Sequence, residues 1–162
     1  MADGYARISG QPGVGTVVPG PGVQNASAAL GTAYSCSSPV LLIAGQVETA
    51  SLGSDRGALH EINDQLEVVR PVTKWRQRVL KVEEIPGAVH EAMRQMTTGR
   101  PRPTHIEIPP DVLAAPANVE LLEPEMFPRQ APDRAHVQRA AALLRNAKRP
   151  LIWAGGGVAL AD

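Results

Sequence analysis

Only one of the 162 residues is a cysteine, and aromatic residues make up just 3% of the chain. Cys36 has no partner for an internal disulfide, a pattern typical of proteins from a reducing compartment. With so few aromatic side chains, a core must be built from Ala, Val, Leu and Ile, which a hydrophobic content of 43% can supply. We therefore expect a cytoplasmic protein with an aliphatic core.

Net charge and long apolar runs are missing as well. Sixteen basic residues balance sixteen acidic ones, and without a basic stripe or an aromatic platform we expect no binding to nucleic acid. No apolar run approaches the ~20 residues of a membrane span, and the first ten residues lack the regions of a signal peptide. The histidines share no spacing typical of metal ligands. We expect no membrane partner and no metal site.

Strand and helix patterns alternate along the first part of the chain. Strands are predicted at 14–18, 39–44, 73–79 and 104–108, and helices at 23–35, 62–69 and 82–96. This alternation predicts an α/β fold with a parallel sheet flanked by helices. One apolar helix face is expected in the segment 82–96, formed by Ile85, Val89, Ala92, Met93 and Met96.

The composition changes after residue 112. Four prolines and no sustained periodicity occur in residues 113–133, so we predict domains at 1–112 and 132–162 with an interdomain linker at 113–131. Asp133 is expected to cap a helix with apolar residues on one face. A strand at 151–154 then leads into three glycines. This pattern is typical of the first unit of a second α/β domain, and we expect that both ends of the chain are cut.

The segment 17–34 places a glycine-rich turn between a strand and a helix of small residues. The turn reads Pro19-Gly20-Pro21-Gly22, and Asn25 is predicted to cap the first turn of the helix. Such a turn lets the backbone approach a ligand closely. A βα loop that only needs tight geometry would have the same sequence. The residues alone leave both interpretations open.

Seven motifs occur in an order that is typical of one family. They are MADGYARISGQPGV, PGPGVQN, SPVLLIAGQV, ALHEINDQ, VTKW, GRPRPTHIEIPPDV and AGGGV. This series closely resembles the thiamine-diphosphate-dependent decarboxylase and carboligase superfamily, and is most similar to acetohydroxyacid (acetolactate) synthases. The resemblance implies that residues 1–112 are a pyrimidine-binding domain lacking its first β/α units. It also implies that residues 132–162 begin a truncated central domain.

The resemblance implies thiamine diphosphate with Mg²⁺ as cofactors, a 2-keto acid as substrate, and a homodimer or homotetramer. Pro21, Gly22 and Asn25 match the turn beside the pyrimidine ring of the cofactor, where Gly22 would let backbone approach the flat ring. The family's metal motif has no counterpart in the chain. Arg100 and Gly156 match positions near FAD in flavin-binding members. Simple chain turns explain both residues equally well, so FAD is left open.

The resemblance implies that the catalytic glutamate of the family, which hydrogen-bonds the pyrimidine N1′, belongs before Met1. The chain then holds no catalytic residue, with His60 as the one candidate. His60 stands where acetohydroxyacid synthases usually have glutamine, and an imidazole suits a substrate-side or proton-transfer role. A structural His60 is the alternative. Pro110 is a second departure, because many of these synthases have lysine there.

We therefore predict part of a thiamine-diphosphate-dependent lyase or transferase, acetolactate synthase-like, that decarboxylates or carboligates 2-keto acids. The isolated chain is expected to be inactive. An alternative is a non-catalytic subunit of the same fold, or a partner-binding module, which the start of a central domain argues against. A nucleotide-binding α/β domain of another family is a third hypothesis, supported only by the glycines at 155–157.

Overall fold

A computed structural model describes residues 1–128 and 131–159. The chain divides into two compact units, Met1–Phe127 and Pro128–Asp162. Four strands of the first unit form one sheet: β1 Gly13–Val17, β2 Val40–Gly45, β3 Trp75–Arg78 and β4 Thr104–Ile108. Their order is β1-β2-β4-β3, and every neighbouring pair is parallel. The predicted α/β fold with a parallel sheet flanked by helices is confirmed.

Five helices accompany the sheet in the first unit: α1 Ala2–Ser9, α2 Pro21–Ser35, α3 Gln65–Val69, α4 Ile85–Thr97 and α5 Pro110–Ala114. The helix predicted at 62–69 begins only at Gln65, because the Asp64 carboxylate accepts a hydrogen bond from the Leu66 N–H at 3.1 Å and caps it. Short 3-10 turns occupy Thr49–Ser51, Arg70–Val72 and Val82–Glu84. None of the described helices combines the length and apolarity needed to cross a membrane.

Two clusters of aliphatic side chains form the core of the first unit, as expected from the composition. Alternate residues of β2 divide between them, since successive side chains of a strand point to opposite faces. Leu42 and Ala44 pack in the cluster with residues of α1, α2 and α3. Leu41 packs with α4 in the other cluster, where Ile106 and Ile108 of β4 also lie. Glu107, which lies between those isoleucines, therefore faces the first cluster.

The buried face of α4 differs in part from its prediction. Ala92 and Met96 are fully buried, as expected, but Val89 is 37% exposed and Ala88 is buried in its place. The row Ala88, Ala92, Met96 follows the four-residue spacing that keeps side chains on one helix face. Val89 is one position further along and is therefore rotated by about 100° out of that row.

The second unit is described through residue 159. It contains α6 Arg134–Asn146 and α7 Gly156–Ala159. The Asp133 carboxylate accepts a hydrogen bond from the Ala135 N–H at 2.7 Å, so the predicted cap of α6 is confirmed. The strand predicted at 151–154 is wrong. Strands are stabilised by hydrogen bonds to neighbouring strands. The described part of this unit contains no strand with which residues 151–154 could pair. The predicted domain bounds stay a prediction.

Replacing Met96 by alanine should test whether the α4 cluster stabilises the sheet. Met96 is fully buried, whereas Met126 is 92% exposed. Met96→Ala should lower the free energy of unfolding by about 2–5 kcal/mol because it leaves a cavity. Met126→Ala should change it by less than about 0.5 kcal/mol. Urea unfolding followed by the fluorescence of Trp75, which packs on this cluster, measures both. Equal losses would contradict the assigned core.

Candidate functional site

A cleft of about 470 Å³ opens at the carboxyl edge of the parallel sheet. Residues from the ends of β1, β2 and β4, from the loop between β2 and α3 and from α5 line it: Pro19, Gly45, Gln46, Val47, Glu48, Ser51, Ala58, Leu59, His60, Ile108, Pro110 and Leu113. Ligands of open parallel α/β sheets bind at this edge. The cleft is therefore the candidate functional site of the first unit.

The lining of the cleft is mostly apolar and carries little charge. Glu48 is its one carboxylate, His60 is its one imidazole, and neither lysine nor arginine belongs to it. A flat, neutral ring with a few polar atoms suits such walls. A diphosphate does not, because its charge would meet a carboxylate and no cation.

The turn before α2 touches the loop that carries His60. Gly20 has φ +57°, and a Cβ on it would lie 2.3 Å from the backbone carbonyl oxygen of His60. His60 itself has φ +68°, in the left-handed region that side-chain-bearing residues seldom adopt. The surroundings must hold such a conformation against its cost. The structure thus brings His60 into the cleft and fixes its backbone against the turn.

The predicted turn residues Pro21, Gly22 and Asn25 lie in the first turns of α2 and outside the cleft lining. A Cβ on Gly22 would come within 2.7 Å of the Val18 side chain. The Val18 side chain would have to shift to admit a Cβ, so local packing already favours glycine there without a ligand.

The predicted capping role of Asn25 is wrong. Gly20 is the N-cap of α2, because Pro21 lacks an N–H and has a φ already suited to the first helical position. Asn25 therefore lies four residues beyond Pro21, inside the helix. Its side chain is exposed and makes no hydrogen bond to a described residue. Its predicted place beside the cofactor stays a prediction.

A buried polar network lies beneath the cleft, and Gln65 is at its centre. The Gln65 side chain is fully buried. Its Oε1 accepts a hydrogen bond from the Gly20 N–H at 2.7 Å. Its Nε2 donates to the carbonyl oxygen of Gly45 at 2.9 Å and to Oε2 of Glu107 at 2.9 Å. One carboxamide thus joins the turn after β1, the end of β2 and the end of β4.

Glu107 is a fully buried carboxylate in β4. Besides Gln65, it is held by Nε2 of Gln46 at 3.3 Å and by Nε of Arg78, both donating to Oε1. Burial raises the pKa of Glu107, but His105 and these donors outweigh that effect and lower the pKa below its ordinary value near 4.5. The carboxylate is therefore ionised at neutral pH.

Sequence reasoning missed this network. Nothing in the local sequence pairs Arg78 with the buried Glu107, which lies 29 residues further along the chain. Gln46 and Gln65 were not singled out. The signal available was Glu107 itself, a charged residue between Ile106 and Ile108 in a strand that pattern alone predicts to be buried.

The two predicted FAD contacts lie in different units of the chain. Arg100 precedes β4 and is exposed, and its Nε donates to Oγ of Ser37 at 2.9 Å. Arg100 precedes β4 and Ser37 precedes β2, so both lie at the edge of the sheet opposite the cleft. Gly156 belongs to the second unit, and a Cβ there would meet no atom within 4 Å. No steric contact among the described residues requires a glycine at that position.

Comparison with known proteins agrees with this geometry. Residues 1–68 match the family described as thiamine pyrophosphate enzyme, N-terminal TPP binding domain. The fold matches the crystal structure of benzoylformate decarboxylase from Polynucleobacter necessarius with a TM-score of 0.84 and 25% identity, over 93% of this chain and 28% of that one. This chain belongs to the thiamine-diphosphate-dependent enzyme superfamily.

Two relatives in this superfamily are similar in sequence to the chain over most of the chain's length. A probable 2-ketoarginine decarboxylase of Pseudomonas aeruginosa is 43% identical over 97% of this chain and 28% of that protein. A probable acetolactate synthase large subunit of Methanocaldococcus jannaschii is 41% identical over 97% of this chain and 27% of that protein. The chain spans about a quarter of the length of these relatives.

Gly20→Ala should be far more destabilising than a glycine replacement that has room. Gly20 and Gly53 both have positive φ, but a Cβ on Gly53 meets no atom within 4 Å. Gly53→Ala should lose about 1–2 kcal/mol from its backbone conformation alone. Gly20→Ala adds a clash with the His60 carbonyl and should lose about 3 kcal/mol or more. Chemical denaturation measures both, and similar losses would show that the turn and the His60 loop are not in contact.

Acid should destabilise the first unit partly through Glu107. Because its pKa is lowered in the folded chain, Glu107 stabilises the fold above pH 4.5, and this contribution is lost as the pH falls through the folded pKa. Glu107→Gln should therefore flatten the acid limb of the stability curve, by at most about 1.4 kcal/mol per pH unit. Glu83→Gln, at an exposed position, is the control. Unfolding followed by circular dichroism between pH 6 and pH 2 measures the slopes, and parallel slopes for all three proteins would be the opposite result.

Proposed function

We propose that this chain forms the pyrimidine-binding part of a thiamine-diphosphate-dependent enzyme that decarboxylates or carboligates 2-keto acids. The observation that carries the proposal is the nearly uncharged cleft at the carboxyl edge of the sheet, in a chain whose residues 1–68 match a TPP-binding family. The relatives named as a decarboxylase and as a synthase support a 2-keto acid as the substrate.

The walls of the cleft fit one half of the cofactor. When bound, thiamine diphosphate supplies the electron sink for decarboxylation. Pro19, Val47 and Ile108 offer apolar surface to its neutral, planar pyrimidine, and the same surface excludes water. His60 is in this lining and is proposed to hold or donate a proton on the substrate side, a role that an imidazole can fill near neutral pH.

The described residues do not fit the charged half of the cofactor. No cluster of three or more His, Cys, Asp or Glu side chains in residues 1–128 and 131–159 is arranged to hold a metal ion. The cleft lining contains no basic side chain for a diphosphate. We therefore assign the pyrimidine side of the site to this chain.

The proposal also covers a further cofactor, the oligomeric state and the location of the protein. A contact with FAD is proposed for Arg100 and Gly156, of which Arg100 lies at the sheet edge opposite the cleft. A homodimer or homotetramer is supported by exposed apolar side chains on α1 and β1, among them Ile8 at 91% and Val14 at 54% exposure. A cytoplasmic location rests on the single cysteine, Cys36.

A non-catalytic subunit or binding module of the same fold is the alternative function. It predicts that the protein binds thiamine or a partner without turnover. The imidazole of His60 in the cleft lining favours a catalytic site over this alternative, because a side chain of this type can transfer a proton.

Release of CO₂ from 2-keto acids tests the proposal. Because the isolated chain is expected to be inactive, the complete enzyme that contains it is assayed with thiamine diphosphate and Mg²⁺ on pyruvate and on longer 2-keto acids. His60→Ala should lower kcat/KM roughly 10²–10⁴-fold if the imidazole transfers a proton. His60→Gln should retain more activity if a hydrogen bond is enough. His136→Ala, at an exposed histidine of the second unit, is the matched control and should be fully active.

Each outcome of this assay has a defined meaning. Wild-type turnover with a loss confined to the His60 variants supports the catalytic assignment. Binding of thiamine with no release of CO₂ from any 2-keto acid would contradict it and favour the non-catalytic subunit. Turnover that is unaffected by His60→Ala would assign His60 a purely structural role.

A further inference from the structure

We propose that Gln65 is a positioning residue for the cleft, holding the turn at Gly20 and, through it, the backbone of His60. That the cleft is a ligand site rests on the proposed function, but the positioning itself does not. Gln65 does not belong to the cleft lining. It acts from below through Gly20, whose position decides where the His60 carbonyl can lie.

The hydrogen bonds of Gln65 can be made only by a carboxamide. Oε1 accepts from Gly20, while the two N–H groups of Nε2 donate to Gly45 and Glu107. A glutamate has no N–H to donate and would bring a second negative charge against Glu107. An apolar side chain would leave a buried N–H, a buried carbonyl and one carboxylate oxygen without their partner, each at a substantial cost.

The position of Gln65 is itself fixed by a larger set of contacts. Glu107, which accepts from its Nε2, is held in turn by Gln46 from the end of β2 and by Arg78 from β3. Gln46 also accepts a hydrogen bond from the Val47 N–H at 2.8 Å. The network therefore reaches the carboxyl ends of all four strands, and Gln46 and Val47 carry it into the wall of the cleft.

If stability were its only role, this buried polar network would offer little advantage over apolar side chains at the same place. A buried ion pair gains little over well-packed apolar side chains of similar volume. What the network provides is a defined backbone geometry, since hydrogen bonds constrain angles that apolar packing leaves free. The two segments it constrains, the Gly20 turn and the β2 end at Gly45, both border the cleft.

Two variants and one control test the inference in the ligand-free chain. Gln65→Met keeps the length of the side chain but removes all of its hydrogen bonds. The double variant Gln65→Glu with Glu107→Gln exchanges donor and acceptor, so that Gly20 regains its acceptor and the contact between positions 65 and 107 is restored. Gln77→Met, at a half-buried glutamine of β3, makes the same chemical change on the face of that strand opposite to Arg78.

Amide hydrogen exchange and the ring signals of His60, both measured by NMR, are the readouts. In Gln65→Met, exchange at Gly20 should be about 10–100-fold faster, from the loss of one buried hydrogen bond. Exchange at Ile106 should stay unchanged, and the His60 ring signals should shift. The double variant should return Gly20 and His60 towards wild type, and Gln77→Met should move neither.

Two results would overturn the positioning role. One is unchanged Gly20 exchange and unchanged His60 signals in Gln65→Met. The other is faster exchange at Gly20 and Ile106 alike, in Gln65→Met and in the double variant, which would mean a general loss of stability. A titration of wild type with thiamine separates this inference from the proposed function. If thiamine moves no cleft signal, the pyrimidine site fails while the exchange data still decide the role of Gln65.

Discussion

The structure depends on one buried carboxylate. Glu107 lies in the central strand pair of a parallel sheet, fully removed from water, where an unpaired charge would be severely destabilising. Its satisfaction requires Gln65, Gln46 and Arg78, which arrive from three different segments of the chain. The sheet edge, the short helix α3 and the loop ends are therefore set by the same electrostatic requirement that lies beneath the cleft.

The ionised network and the apolar cleft wall are complementary in chemistry. Charge is concentrated below the surface, where it is paired, and the lining above it is left almost neutral. This separation lets strong hydrogen bonds fix the backbone without presenting charge to a flat, neutral ligand. The proposed division of the cofactor, with its pyrimidine half at this chain, follows from that arrangement.

The sequence was sufficient for the architecture but only partly for the site. Strand β4 and the start of helix α6 at Asp133 follow directly from local pattern and capping chemistry. Asn25 was misplaced because a proline and a glycine can start a helix without a side-chain cap. The segment 151–154 failed because a strand depends on neighbours that local pattern does not report. Gln65 was missed because its three partners are distant in sequence and meet only in the fold.

Because Gly20 lies against the His60 carbonyl, the turn at position 20 and the loop at position 60 cannot change independently of each other. A loop carrying a different residue at position 60 can be accommodated only if the facing turn keeps a residue without a Cβ. Exchange of specificity loops between related proteins therefore needs the β1–α2 turn to travel with the loop that follows β2. Chimaeras that transfer the loop alone would combine a turn and a loop from different proteins, whose backbones are not shaped to fit each other.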